Sequence, residues 1–189
     1  MTSRDPVEFV RKPLRIREHS RRTLDQRLAI RFPGLSAASF RFVTRLPLGS
    51  RVRQAAVWRS VRLAVEAYNR RDLDAVVTGY RPDIEYYPYR EFVEAGLAEP
   101  VYHGPSGYRA YIEATYDVWG TEVRLKPTEL IDLGDRLVLL ADMPMRAQAS
   151  GVPLAQTYAG VSTLKDGRVI RNDDFLSHAE ALAAVGLQD

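Results

Sequence analysis

The 189-residue chain has no cysteine. That absence excludes disulfide frameworks, thiolate zinc sites, iron–sulfur clusters and a cysteine nucleophile together. Histidine is scarce, and His19, His103 and His178 have no ligand spacing between them, so neither a metal site nor any cofactor is expected. There is no Walker A lysine and no glycine-rich dinucleotide turn. Gly104-x-Ser106-Gly107 misses the spacing of a nucleophile elbow. The longest aliphatic run, Leu137 to Ala141, is five residues, against about 20 for a membrane span. No apolar stretch follows a basic start as a secretory signal requires, so a cytoplasmic protein without a membrane span is expected. Lysine is nearly absent: only Lys12, Lys126 and Lys165 among 27 basic residues.

The chain does have ordinary apolar content, 46% hydrophobic against 27% charged, enough for one domain to bury its own core. Charge is divided unevenly. Residues 1–60 hold 14 basic and 4 acidic side chains, a balance of +10, and residues 61–189 hold 13 and 20, a balance of −7. A basic head can bind nucleic acid or an anionic membrane surface, or dock on an acidic body, its own or a neighbouring subunit's. Docking is favoured over nucleic acid, because the arginines are not interleaved with stacking aromatics.

Local signals divide the chain into helices followed by strands. Residues 1–20 read as a loose arm. Thr23 caps a helix whose Leu24, Leu28 and Phe32 share one face before Pro33, and a second helix spans Leu35 to Leu46. Ser50 caps a long helix running to about Arg70, with Val57, Val61, Ala64, Val65 and Tyr68 as its buried stripe. Asp72 caps a short one. A strand follows at Ile84 to Tyr89, then an excursion over 90–102 and a helix from Tyr108 to Trp119. Four strand-like stretches then run over 123–133, 136–148, 154–164 and 169–176, the last two joined by Lys165-Asp166-Gly167-Arg168. Ser177 caps a terminal helix. The order predicts an α+β fold with an antiparallel meander.

The stretch Ala67-Tyr68-Asn69-Arg70-Arg71-Asp72-Leu73-Asp74 resembles the helix junction of the nuclear transport factor 2-like (NTF2-like) superfamily. It is closest in pattern to the SnoaL-like branch, which includes polyketide cyclases; ketosteroid isomerases belong to the wider superfamily. His103-Gly104-Pro105-Ser106-Gly107, Leu133-Gly134-Asp135-Arg136 and Asp166-Gly167-Arg168-Val169 add to the resemblance, which covers about residues 55–187. It implies a cone, a curved antiparallel sheet wrapped around helices with a pocket inside, and homodimers through the outer sheet face. The corresponding division is a basic N-terminal arm and helical extension, 1–54, and an NTF2-like domain, 55–189.

Within such a cone the candidate acid/base residues are Asp174 and Asp142. SnoaL-like cyclases place an acid/base aspartate late in the last strand, and Asp174 is the matching position. Asp142 follows the apolar run Leu137–Ala141, where an unpaired carboxylate is unusual. Tyr158, Gln148 or Arg146 would hold a developing enolate oxygen. Asn172 shares a strand face with Asp174, and Tyr87, Tyr116 and Trp119 are aromatics that a cavity could recruit. The competing assignment makes Asp142–Arg146 a structural pair and Asp173-Asp174 a solvated strand end. Steroid isomerases of the superfamily carry their base before a proline, where this chain has Tyr87, and their oxyanion tyrosine falls on Ala64. The expected function is binding of a small hydrophobic ligand, with proton transfer of the cyclase, isomerase or dehydratase type on a polycyclic or aromatic substrate. The alternative is a non-catalytic dimeric module.

Overall fold

The computed structural model describes residues 8–17, 21–119, 123–146 and 153–188, the side chains at 118–119, 145–146 and 153–156 being outside the description. Helices start where capping chemistry is available. Thr23 and Gln26 form a capping box ahead of α1 (Leu24–Arg31), and Ser50 accepts from the Arg53 amide at the start of α3 (Arg51–Asn69). Between them α2 (Pro33–Thr44) begins at Pro33 itself, two residues earlier than expected, because proline is already shaped for a first helical position. Asp72 caps α4 (Leu73–Val76), a short α5 (Arg90–Glu94) lies in the excursion, and α6 spans Gly104–Trp119. Ser177 caps α7 (His178–Ala184).

Seven strands among the described residues form one curved, unclosed sheet. They are β1 (Val10–Pro13), β2 (Tyr80–Tyr87), β3 (Tyr102–His103), β4 (Lys126–Asp132), β5 (Arg136–Arg146), β6 (Pro153–Lys165) and β7 (Arg168–Phe175), in the order β1-β4-β5-β6-β7-β2-β3. The meander β4–β7 is antiparallel, as its hairpin signals require. Two expectations change. Part of the arm read as loose is a strand, β1, which pairs with the edge of β4 and draws its hydrogen bonds from that partner rather than from any apolar pattern of its own. The sheet is mixed, not wholly antiparallel: β2 pairs with β7 in parallel. Those strands are far apart in the chain, so no hairpin dictates their relative direction.

Register decides which side chains face inward, since residues directly opposite each other across an antiparallel pair share a face. Leu137, Leu139 and Ala141 sit opposite Ser162, Gly160 and Tyr158 and face the concave side. Val138, Leu140, Ala159 and Val161 face outward and are covered by Ala181, Leu182 and Val185 at the end of the chain. The extension is held to the body by arginines. Arg53, 2% exposed, donates to both carboxylate oxygens of the wholly buried Asp132 at 2.8 Å. The same guanidinium reaches the carbonyls of Thr44, Leu46 and Gly134. Arg22 bridges Asp72 and Asp74, and Arg11 meets Glu129. At these places the basic head docks on its own acidic body. The turn into β7 lies against α2: a Cβ on Gly167 would come within 2.4 Å of the Arg41 amide nitrogen. The division at 54/55 falls inside α3, so a continuous helix joins extension and cone. No helix among the described residues is long and apolar enough to cross a membrane.

Candidate active site

The concave face of the sheet, α3 and α6 enclose a cavity of about 600 Å³, to which α1 and α2 contribute the outer part of the wall. That volume is in the range of small-molecule sites. The lining is mostly apolar: Val61, Val65, Leu139 and Met143 pack with Tyr68, Tyr89 and Tyr158, and Tyr86, Tyr108 and Tyr111 add further rings.

At its inner end stands Asp174, 7% exposed, on β7 directly opposite Gly160 of β6. One carboxylate oxygen, Oδ2, accepts a hydrogen bond from the Tyr86 hydroxyl. The other, Oδ1, accepts from the Tyr158 hydroxyl at 3.0 Å and from Asn172 Nδ2 at 2.8 Å. Ser162 Oγ donates to Asn172 Oδ1 at 2.7 Å, which turns the amide so that its NH2 faces Asp174. Gly160 completes the geometry. A Cβ there would lie 2.5 Å from the Tyr158 hydroxyl, so the missing side chain is the space through which the tyrosine reaches the carboxylate. Around this cluster Tyr86 packs edge-on against Tyr108 at 5.0 Å and obliquely against Tyr111 at 5.1 Å between ring centroids.

The electrostatics follow from burial. Removal from water disfavours the charged carboxylate and raises the Asp174 pKa, while the donors Tyr86, Tyr158 and Asn172 pull it back; the balance is a rise from 3.8 to about 7. Among the described residues Asp174 has no ion-pair partner. Burial also raises the pKa of Tyr86, Tyr108 and Tyr158, with the Asp174 charge adding to it, so the phenols remain neutral donors. The site therefore holds one carboxyl able to exist in either form near neutrality, among hydroxyls that do not ionise.

Of the residues expected from sequence, Asp174, Asn172 and Tyr158 come together in the cavity. Asp142 does not. It is exposed on the outer side of β5, opposite Thr157 and Lys126, because the inward positions of that strand are the odd-numbered ones. Tyr87 also faces out: its hydroxyl donates to Glu85 at 3.0 Å and the Arg171 guanidinium lies 3.9 Å from its ring centre, while its neighbour Tyr86 occupies the cavity. Tyr116 packs beside Tyr68, under the Arg71 guanidinium, and is not part of the cavity lining. Arg146 ends β5 and Trp119 ends α6, with their side chains outside the description; Gln148 lies outside the described residues. His178, expected at the surface, is half-buried and its Nε2 lies 3.1 Å from the carbonyls of Ala141 and Tyr158. Sequence reasoning missed Tyr86 and Gly160. The alternation Ile84-Glu85-Tyr86 was the available signal for the first, and a glycine inside a strand for the second.

Residues 61–172 match the family model described as SnoaL-like domain. No curated protein matches the chain. An NTF2-like protein of unknown function from Burkholderia pseudomallei is 27% identical, with 68% of this chain and 95% of that one covered and a TM-score of 0.57. TerC, co-crystallised with polyporic acid, is 23% identical, with 63% and 89% covered and a TM-score of 0.56. A proposed SnoaL-like polyketide cyclase from Jannaschia sp. CCS1 is 17% identical, with 67% and 88% covered and a TM-score of 0.55. The last two likenesses are of fold alone.

Proposed function

The chain belongs to the SnoaL-like domain family, and from that premise we propose that it binds a polycyclic or aromatic carbonyl compound and moves a proton at the carbon beside the carbonyl. The observation that carries this reading is the buried Asp174 carboxyl in an apolar cavity, held by three neutral donors and without an ion-pair partner among the described residues. In its ionised form Asp174 takes the proton from carbon. The electron pair of the broken C–H bond moves onto the carbonyl oxygen as an enolate, and Asp174 becomes a neutral acid. The Tyr158 hydroxyl, no longer needed by a charged carboxylate, turns to the enolate oxygen and stabilises it. Returning the proton from Asp174 to a different position completes an isomerisation. Attack of the enolate carbon on a second carbonyl of the same molecule forms a C–C bond, breaks that carbonyl's π bond and gives an alkoxide that takes the proton back from Asp174, completing a cyclisation. A pKa of about 7 suits both halves, since near neutral pH the carboxyl is populated both in the ionised form that takes a proton and in the neutral form that gives one. Ser162 and Asn172 act as positioning residues.

The test begins with a thermal-shift screen of quinones, including polyporic acid, and of steroid and polyketide-like ketones. For an enolisable ligand found in this way, proton exchange with D2O at the carbon next to the carbonyl is followed by NMR. Asp174→Asn is expected to keep the ligand and slow exchange by roughly 10²–10⁴-fold. A ligand that binds tightly yet exchanges at the same rate with either protein makes the chain a binding module and rejects Asp174 as its base.

A further inference from the structure

The cavity leaves one conspicuous feature of the molecule unused. Of the eight exposed large apolar side chains among the described residues, five lie on or between α1 and α2: Leu24 is 70% exposed, Leu35 69%, Phe42 69%, Phe32 51% and Leu28 49%. Leu24 and Leu28 are four apart along α1, Leu35 and Phe42 seven apart along α2, and Phe32 lies at the junction between the helices, so the pair offers adjoining apolar side chains outward. Scattered exposed apolar residues are ordinary, but a group of them on two adjoining helices is not. Arginines surround them. Arg21, Arg27, Arg31, Arg41, Arg45 and Arg51 are exposed and have no ion pair among the described residues, unlike the arginines that fasten the extension to the body.

We propose that the outer face of α1 and α2 adsorbs to an anionic lipid bilayer surface, with its apolar side chains entering the interface and its arginines meeting lipid phosphates. An apolar stripe rimmed by arginine is the composition of an interfacial helix, and guanidinium groups suit bidentate phosphate contacts. Charge argues against a second copy as the occupant, since a symmetric contact would bring two unpaired arginine sets together. A further observation selects a bilayer over an acidic protein. Leu28, Phe32 and Leu35 are both exposed and part of the cavity lining, so the cavity opens within the apolar patch itself. A water-insoluble ligand could pass from the membrane into the cavity without crossing solvent, whereas a protein seated on the patch would close that opening. The inference does not depend on the chemistry assigned to Asp174.

The test is co-sedimentation of the full chain with vesicles of phosphatidylcholine alone and of phosphatidylcholine with phosphatidylglycerol in equal parts. Binding is expected to the mixed vesicles only, weakening as salt is raised. Each arginine near an anionic surface contributes roughly a fivefold gain in partitioning, so Arg27→Gln/Arg41→Gln/Arg45→Gln should lower binding on the order of a hundredfold. Leu24→Ser/Phe42→Ser should also release the protein, with unchanged melting temperature because both side chains are already in water. A wild-type chain that stays in solution with the mixed vesicles overturns the proposal. So does equal binding to neutral vesicles. If the serine variant instead converts a dimer to a monomer in the absence of any vesicle binding, the face is a contact between copies of the chain.

Discussion

Replacing Asp174 by asparagine tests the electrostatics of the cavity without any substrate. The two side chains have nearly the same shape: a carboxamide oxygen in the place of Oδ1 still accepts from Tyr158 and Asn172, and the NH2 in the place of Oδ2 donates to the Tyr86 hydroxyl oxygen once that hydroxyl turns. The titration is removed, and the cost of turning Tyr86 is the same at both pH values. In the folded protein Asp174 releases its proton near pH 7, whereas in the unfolded chain it does so near its ordinary 3.8. Between these values the folded state holds a proton that the unfolded state has lost, so stability from this group falls as pH rises and levels off above the folded pKa. At about 1.4 kcal/mol per unit, the group costs about 3 kcal/mol of stability between pH 5 and pH 8. Urea unfolding of both proteins at the two pH values measures it, because other titrating groups cancel in the difference. The asparagine variant should gain about 3 kcal/mol on the wild type in going from pH 5 to pH 8. A difference that is the same at both values, or that moves the other way, would mean the carboxyl is solvated or paired with a cation, and the reasoning fails.

Other perturbations probe the supports of the site. In Gly160→Ala the new methyl group pushes aside the far end of the Tyr158 ring, so the fold should survive while the hydrogen bond to Asp174 is lost. Removing a donor to the charged form should raise the Asp174 pKa by about one unit in a ¹³C NMR titration, with Tyr158→Phe giving the same shift. Gly167→Ala meets backbone rather than a movable side chain, at 2.4 Å from Arg41 N and 2.5 Å from Ala37 O, and its φ of +74° is itself unfavourable for alanine. It should destabilise by about 2 kcal/mol or more and speed hydrogen exchange selectively in α2. Arg53→Met strands the buried Asp132 carboxylate and should cost about 3–5 kcal/mol in urea unfolding; adding Asp132→Leu should recover most of it.

Local chemistry made the element order legible. Thr23, Ser50, Asp72 and Ser177 cap the helices because a side-chain oxygen beside a free amide works wherever the fold places it. The Asp166-Gly167 turn set the hairpin, and the resemblance to SnoaL-like cyclases, counted from that turn, pointed to Asp174. The motif that carried the family resemblance proved structural: Asn69 exchanges two 2.8 Å hydrogen bonds with the backbone of Leu125, and Asp72 caps a helix while holding Arg22.

What the sequence by itself determined is therefore the caps, the turns, the meander and the strand position of one carboxyl, each set by interactions within a few residues. Which face of β5 looks inward was not among these. Leu137–Ala141 is apolar on both sides because α7 covers the outer face as the cavity wall covers the inner, and this double burial erases the alternation that would have separated Asp142 from the site. The parallel pairing of β2 with β7, the space above Gly160 that admits Tyr158, and the placing of α1 and α2 along the cavity mouth were likewise decided only by tertiary structure. Each depends on residues brought together from distant parts of the chain, and such contacts leave no periodicity in the segments that make them.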